Sequence, residues 1–268
     1  MYSPFFFLGH VVALISKQDA GGYSMPYRVA IIFAACFYLF WGLLFLFKSL
    51  KKLFDYKVAL ITLLAFSIGT NIIYYSSLEP GMSHVYNFSL FSLFIWLTIC
   101  WHEKPNFWNS LFIGLVSGLI SLIRPSNIII ALFFVFYNIA SSKDLKIKFK
   151  FLLSKYLQIF IIILSALIVW IPQFVYWKVV TGQWLYYSYG HESFFFNNPQ
   201  IINTLFSYRK GLLVYTPIVI FSFIGFFFLR KNENTKGLLI PTLLFTLLNI
   251  YIISSWWCWW YGGSFGMR

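Results

Sequence analysis

Carboxylates are nearly missing from this chain: seven Asp and Glu stand among 268 residues, against 20 Lys and Arg. Charged residues of both signs make up 10% of the sequence, where an ordinary soluble domain carries about 25%. So few charges cannot cover the surface of a soluble globule. The net charge of +13 is therefore not the signature of a soluble nucleic-acid groove. Cysteine is scarce too, and the spacing of Cys36, Cys100 and Cys258 fits neither a disulfide framework nor a metal site. Strict apolar/polar alternation is absent, which disfavours a β-barrel. No repeat of fixed period runs through the chain.

What the chain does have is long apolar runs. Hydrophobic residues make up 60% of it, including 33 Phe and 11 Trp. The mean hydropathy is +0.77. Crossing a bilayer takes roughly 20 apolar residues per helix. On that measure eight segments are predicted, near residues 26–47, 58–75, 85–101, 107–123, 127–140, 156–177, 212–229 and 237–255. Residues 1–16 form a further apolar stretch, too short to predict as a span. The expected class is all-α: a polytopic transmembrane bundle of about eight spans, forming a single domain over residues 1–268. Within it lie a loop at 178–211 and a Trp/Gly-rich segment at 256–268.

Lysine and arginine predict the orientation. With the loop carrying Lys48, Lys51, Lys52 and Lys57 in the cytoplasm, most of the cations fall on that side. The opposite face then holds the 78–84 turn, Arg124, the 178–211 loop and the C-terminal stretch. Loops beyond about 12–15 residues are usually functional, so any chemistry is expected on the extracytoplasmic face.

Few residues there can carry chemistry. Glu79 and His84 flank Pro80-Gly81. They read either as a polar pair at a cavity mouth, or as a loop turn before a helix capped by Ser83. Arg124 lies between two apolar segments, where a charge is costly and marks a functional site by default. It can equally snorkel from two short helices. Pro125 should break the helix at that point. Arg209-Lys210 suits a lipid phosphate, and suits equally the ordinary cations that anchor a helix at an interface. His191-Glu192 is too short a motif to define a metal site. Trp256 to Tyr261 resembles an interfacial belt, but a belt needs no Gly262-Gly263-Ser264-Phe265-Gly266 followed by Arg268.

Four motifs in this order carry a resemblance: Glu79-Pro80-Gly81-Met82-Ser83-His84-Val85-Tyr86, Leu122-Ile123-Arg124-Pro125-Ser126-Asn127, Lys210-Gly211-Leu212-Leu213-Val214-Tyr215-Thr216-Pro217 and Trp260-Tyr261-Gly262-Gly263-Ser264-Phe265-Gly266-Met267-Arg268. With them the chain resembles the polytopic GT-C glycosyltransferases, in particular bacterial relatives of the dolichyl-phosphate-mannose–protein mannosyltransferases. The resemblance implies a multi-pass protein of the cell (inner) membrane. It implies transfer of a sugar from a polyprenyl-phosphate donor to an envelope glycan, lipid or protein acceptor, with inversion at the anomeric carbon.

The general base of such enzymes is typically an Asp in a first extracytoplasmic loop. That loop has no counterpart here, which leads us to expect a fragment lacking its N-terminal catalytic piece. Glu79, His84 and Glu192 are the candidates left for proton transfer. Glu79, His84, Arg124, Arg209, Lys210, Tyr215, Trp260, Tyr261 and Arg268 are the candidates for substrate contact. The expected partners are the lipid-linked sugar and membrane lipid, with no nucleic acid. A divalent metal serves some relatives, and no ligand cluster here assigns one. The competing readings are a transporter or flippase for lipid-linked glycans, and a non-catalytic membrane subunit.

Overall fold

The computed structural model describes residues 1–266. It is all-helical, with no strand among the described residues and one isolated antiparallel bridge, Phe194 with Trp256. Thirteen α-helices follow in order: α1 (Ser3–Ile15), α2 (Met25–Leu53), α3 (Tyr56–Gly69), α4 (Ile72–Ser77), α5 (His84–Glu103), α6 (Phe107–Ile123), α7 (Ala131–Phe136), α8 (Ser142–Ser154), α9 (Tyr156–Thr181), α10 (Ile201–Phe206), α11 (Leu212–Tyr215), α12 (Ile220–Lys231) and α13 (Leu239–Ser255). Short 3-10 turns lead into α7, α12 and α13.

Among the described residues, four helices are long and apolar enough to cross a membrane: α2, α5, α9 and Lys236–Ser255, which is α13 with its leading turn. The expectation of about eight full spans is therefore not supported. Two of the expected spans, 58–75 and 212–229, are divided, and the expected break between 107–123 and 127–140 falls at Pro125. The 58–75 run is cut between α3 and α4, where Thr70 takes an extended conformation and its hydroxyl caps back onto Phe66 O at 2.7 Å. Pro125 and Pro217 each open a 3-10 turn, because a proline ring has no N–H to give and restricts the residue before it. Arg124 is extended accordingly, at φ −148° and ψ 116°. Pro172, by contrast, sits inside an unbroken α9.

The helices group into two compact units, Met1–Leu93 and the chain from Phe94 onward, so α5 contributes to both. In the first unit α1 packs on α2. Gly9 makes this contact possible, since a Cβ there would meet Pro26 O and Ala30 Cβ at 3.0 Å. Tyr27 is buried, and its hydroxyl pairs with His10 Nδ1 at 2.5 Å and donates to Ala20 O at 3.0 Å. A core of Ile72, Tyr75 and Val85 is packed by Tyr38, Phe66 and Phe88.

The second unit is organised by α6 and α9, its most extensively packed pair. Gly114 and Gly118 stand one turn apart on α6, the small-residue spacing that lets two backbones approach in an apolar solvent. A Cβ on Gly114 would lie 1.9 Å from Ser165 Oγ and 2.2 Å from Ile162 O; one on Gly118 would lie 2.7 Å from Ala166 O. Trp170 Nε1 donates to Ser121 Oγ at 2.9 Å across the same contact. The outward side of α9 leaves Phe160, Ile163, Leu167, Ile171 and Val175 exposed. A surface this apolar suits lipid rather than water.

Two helices lie outside every expected apolar stretch: α10, inside the 178–211 loop, and α8. The basic 141–155 stretch forms α8, opened by a capping box in which Ser141 and Asp144 exchange hydrogen bonds. These bonds, led by that of the Ser141 side chain, hold the Asp144 carboxyl below its ordinary range. The lysines of α8 alternate between solvent and core: Lys143, Lys146 and Lys150 are exposed, while Lys148 is buried and donates to Tyr137 O at 2.8 Å. Burial pushes the Lys148 ammonium down to about 8 from an ordinary 10.5.

Two predictions follow from this packing. Gly114→Ala should destabilise the protein in detergent by about 1–3 kcal/mol through overpacking. Gly225→Ala on α12, where a Cβ meets nothing within 4 Å, should be neutral or stabilising by about 0.4–1 kcal/mol. Thermal unfolding of the two variants side by side checks both. For Lys148 the unfolded chain holds the extra proton between the folded value of about 8 and 10.5. Stability should therefore rise with pH across that window. Lys148→Met should remove the rise, and melting temperatures measured at pH 8 and pH 10 for both proteins would show it.

Candidate functional site

The second unit brings five of the expected residues together. The stretch between α10 and α11 makes a tight turn in which Gly211 N donates to Ser207 O at 2.7 Å. A Cβ on Gly211 would lie 2.6 Å from both Ser207 N and Ser207 O, so only glycine fits. Lys210, just before it, is held at φ 74°, a left-handed conformation uncommon for a residue with a side chain. That geometry turns Lys210 toward the C-terminal segment, where its Nζ donates to Gly262 O and lies 3.5 Å from Ser264 Oγ. Arg209 places its guanidinium carbon 3.9 Å from the centre of the Trp260 ring, a cation–π distance. Tyr261 is also left-handed, at φ 52°. Tyr215 packs its ring edge-on to Phe265, and a Cβ on Gly266, where φ is +63°, would lie 3.1 Å from Tyr215 Cβ.

The long loop joins the same cluster. α9 runs on to Thr181 and ends on left-handed Gly182, so the loop begins a few residues later than expected. It then pairs with the C-terminal segment: Phe195 N donates to Ser255 O at 2.6 Å, Gln200 N to Ser254 O at 2.8 Å, and Trp257 N to Ser193 O at 3.1 Å. Phe194 and Tyr189 stand edge-on to Trp256. Glu192 is half-buried beside this pairing, and His191 is exposed. Two segments separated by about sixty residues thus form one aromatic surface bearing two cations and one carboxylate.

Glu79 and His84 belong to the first unit. Glu79 Oε1 accepts from the Tyr74 hydroxyl at 3.2 Å, while Oε2 is buried with no hydrogen-bond partner. The His84 ring lies 4.2 Å from that of Tyr75, centre to centre. Tyr86 donates its hydroxyl to Pro80 O at 2.9 Å and fixes the turn. The 78–84 segment is thus both an ordinary turn and a collar of tyrosines around a carboxylate. Arg124 caps the end of α6, and its carbonyl accepts from Asn127 N at 2.9 Å. Arg268 lies outside the described residues. Among the described residues no three His, Cys, Asp or Glu come together as a metal site, so no chemistry is assigned to a metal ion.

The Arg209–Trp260 and Lys210–Gly262 contacts should hold the C-terminal segment in place. Arg209→Ala should loosen it by about 0.5–2 kcal/mol, visible as faster chymotryptic cleavage within residues 256–261 while the rest of the chain stays resistant. Lys210→Gly, which keeps the left-handed turn but loses the amine, should loosen it similarly. Lys210→Ala should do more, because it loses both.

The chain matches no protein-family model, no curated protein and no solved structure.

Proposed function

We propose that this chain forms the membrane part of a lipid-linked glycosyltransferase, multi-pass in the cell membrane, that moves a sugar from a polyprenyl-phosphate donor to an envelope acceptor on the extracytoplasmic side. The observation that carries this reading is the Arg209–Trp260 stack beside Lys210. Two cations and an aromatic face stand together at the ends of apolar helices. A phosphate leaving group at a membrane surface calls for that pairing.

In the reaction, the acceptor hydroxyl oxygen attacks the anomeric carbon as the bond from that carbon to the phosphate oxygen breaks. The phosphate takes the bonding electrons and gains charge. Arg209 offers it guanidinium N–H donors, since its contact with Trp260 is a cation–π contact. Charge that develops on the leaving group is where oriented cations lower a barrier most. Trp260 and Tyr261 offer amphipathic faces for sugar C–H surfaces. The acceptor's proton needs a carboxylate or imidazole. Glu192 is the carboxylate on the loop that pairs with the C-terminal segment. Glu79, with one buried oxygen lacking a hydrogen-bond partner, has the same chemistry in the first unit.

The test uses membranes containing the full chain, supplied with labelled polyprenyl-phosphate sugars over a panel of donors. Transfer to an envelope acceptor is expected. Arg209→Ala should reduce it on the order of 10²–10³-fold, the loss seen when one transition-state donor is removed. Glu192→Gln measured at several pH values would show whether this carboxylate takes the proton. No transfer from any donor would sink the proposal.

A further inference from the structure

A cavity of about 250 Å³ lies within the second unit, walled by α10, α11, α12 and α13. Most of its lining is apolar, with Phe223 and Phe226 on α12 and Phe245 on α13. A purely apolar cavity would suit any hydrocarbon chain, but this one is not purely apolar. Thr204, Ser222, Thr246 and Asn249 also line it. Thr204 is 2% exposed, and its hydroxyl has no hydrogen-bond partner in the protein.

Among the described residues Thr98 and Thr204 depart from the way this chain treats buried hydroxyls, and of these two Thr204 lines the cavity. On α13, Thr242 returns its hydroxyl to Leu238 O at 2.5 Å and Ser255 returns its own to Tyr251 O at 2.7 Å. On α6 and α9, Ser117 and Ser165 do the same. A buried donor without a protein partner calls for an acceptor from outside the chain, and the cavity gives a ligand access to it. The cavity lining includes no charged residue, so that acceptor is a neutral one. The turn joining two of the cavity's walls, α10 and α11, carries Arg209 and Lys210.

These features describe one ligand chemistry. An anionic group meets the cations of the 207–211 turn, a carbonyl oxygen accepts from Thr204 with the Asn249 amide at hand, and an alkyl chain runs along the phenyl rings. A polyprenyl phosphate supplies the anion and the chain but no oxygen for Thr204. A free sugar supplies oxygens but more of them than these walls can satisfy. We propose that this cavity binds an anionic glycerophospholipid, with its phosphate at Arg209–Lys210, an ester carbonyl at Thr204 and one acyl chain between α12 and α13. The site does not depend on sugar transfer by this chain.

The full chain, purified in a neutral detergent and stripped of lipid, is titrated with phosphatidylglycerol, with its ether-linked counterpart and with undecaprenyl phosphate. Binding is read by native mass spectrometry and by the shift in melting temperature. Phosphatidylglycerol should bind about tenfold more tightly than the ether lipid, the ratio expected for one hydrogen bond, and more tightly than undecaprenyl phosphate. Thr204→Val should raise the melting temperature of the stripped protein, since it removes an unsatisfied buried hydroxyl, and should abolish the ester preference. Asn249→Leu should weaken the preference, and Gly225→Ala should leave it intact. Equal binding of the ester and ether lipids, tighter binding of undecaprenyl phosphate, or an undiminished preference in Thr204→Val would each overturn the proposal. The enzymatic reading also draws on Arg209 and Lys210, but the ester preference set by Thr204 belongs to this proposal alone: its loss leaves sugar transfer untouched, and failed sugar transfer leaves the preference intact.

Discussion

The approach of α6 to α9 is the contact on which the second unit depends. Apolar helices in lipid gain nothing by hiding hydrocarbon from one another, so association rests on close packing and on hydrogen bonds. Gly114 and Gly118 supply the packing and the Trp170–Ser121 bond supplies the polarity. With one side held against α6, α9 can leave its other side apolar and exposed. Its C-terminal end then sets where the long loop begins, and that loop is what the Trp-rich C-terminal segment pairs with.

Polar side chains inside the helical layers are used in a consistent way. Ser49, Ser110, Ser117, Ser165 and Ser255 each donate to a carbonyl four residues back on the chain. A hydroxyl satisfied locally in this way costs little in an apolar surrounding, and it keeps a side chain small enough for close packing. The converse also holds. A charge is hard to satisfy within its own helix, and so outside α8 the charged residues gather at helix ends and in turns. The Arg209–Lys210 turn, the Glu79 turn and the lysines closing α2 all follow from this one restriction.

Composition and hydropathy were enough to read an all-helical chain with membrane-crossing helices, and Arg124-Pro125 was enough to place a break. The number of spans was not legible, because window hydropathy does not see a hydroxyl cap at Thr70 or a 3-10 turn at Pro217. α8 was hidden for a related reason. Its lysines read as a basic loop, whereas Lys148 at the centre of the stretch turns inward and the capping box at Ser141 starts a helix. Both signals are in the sequence: a Ser followed three residues later by an Asp, and apolar residues between the lysines. The small-residue spacing of Gly114 and Gly118 was likewise visible and passed over. The pairing of Phe195 with Ser255 left no local trace, because it joins two irregular segments far apart in the chain.

The candidate site was the most legible feature of the second unit, and backbone strain explains why. Among the described residues, four that are not glycine hold a positive φ: Lys17, Asn138, Lys210 and Tyr261. Two of these four are at the site, on opposite sides of the same contact, and the Lys210 amine bonds to the carbonyl of the residue after Tyr261. Such conformations cost on the order of 1–3 kcal/mol each and persist only where the surroundings over-determine them. Here the surroundings are the Gly211 turn, the Arg209–Trp260 stack and the loop pairing at Trp257. An interfacial aromatic belt needs none of these. Anchoring asks only for exposed rings and cations, while this segment is bent into a fixed shape against two named cations. That difference sets the C-terminal stretch apart from a plain membrane anchor, and it is written in the glycines that interrupt the tryptophans.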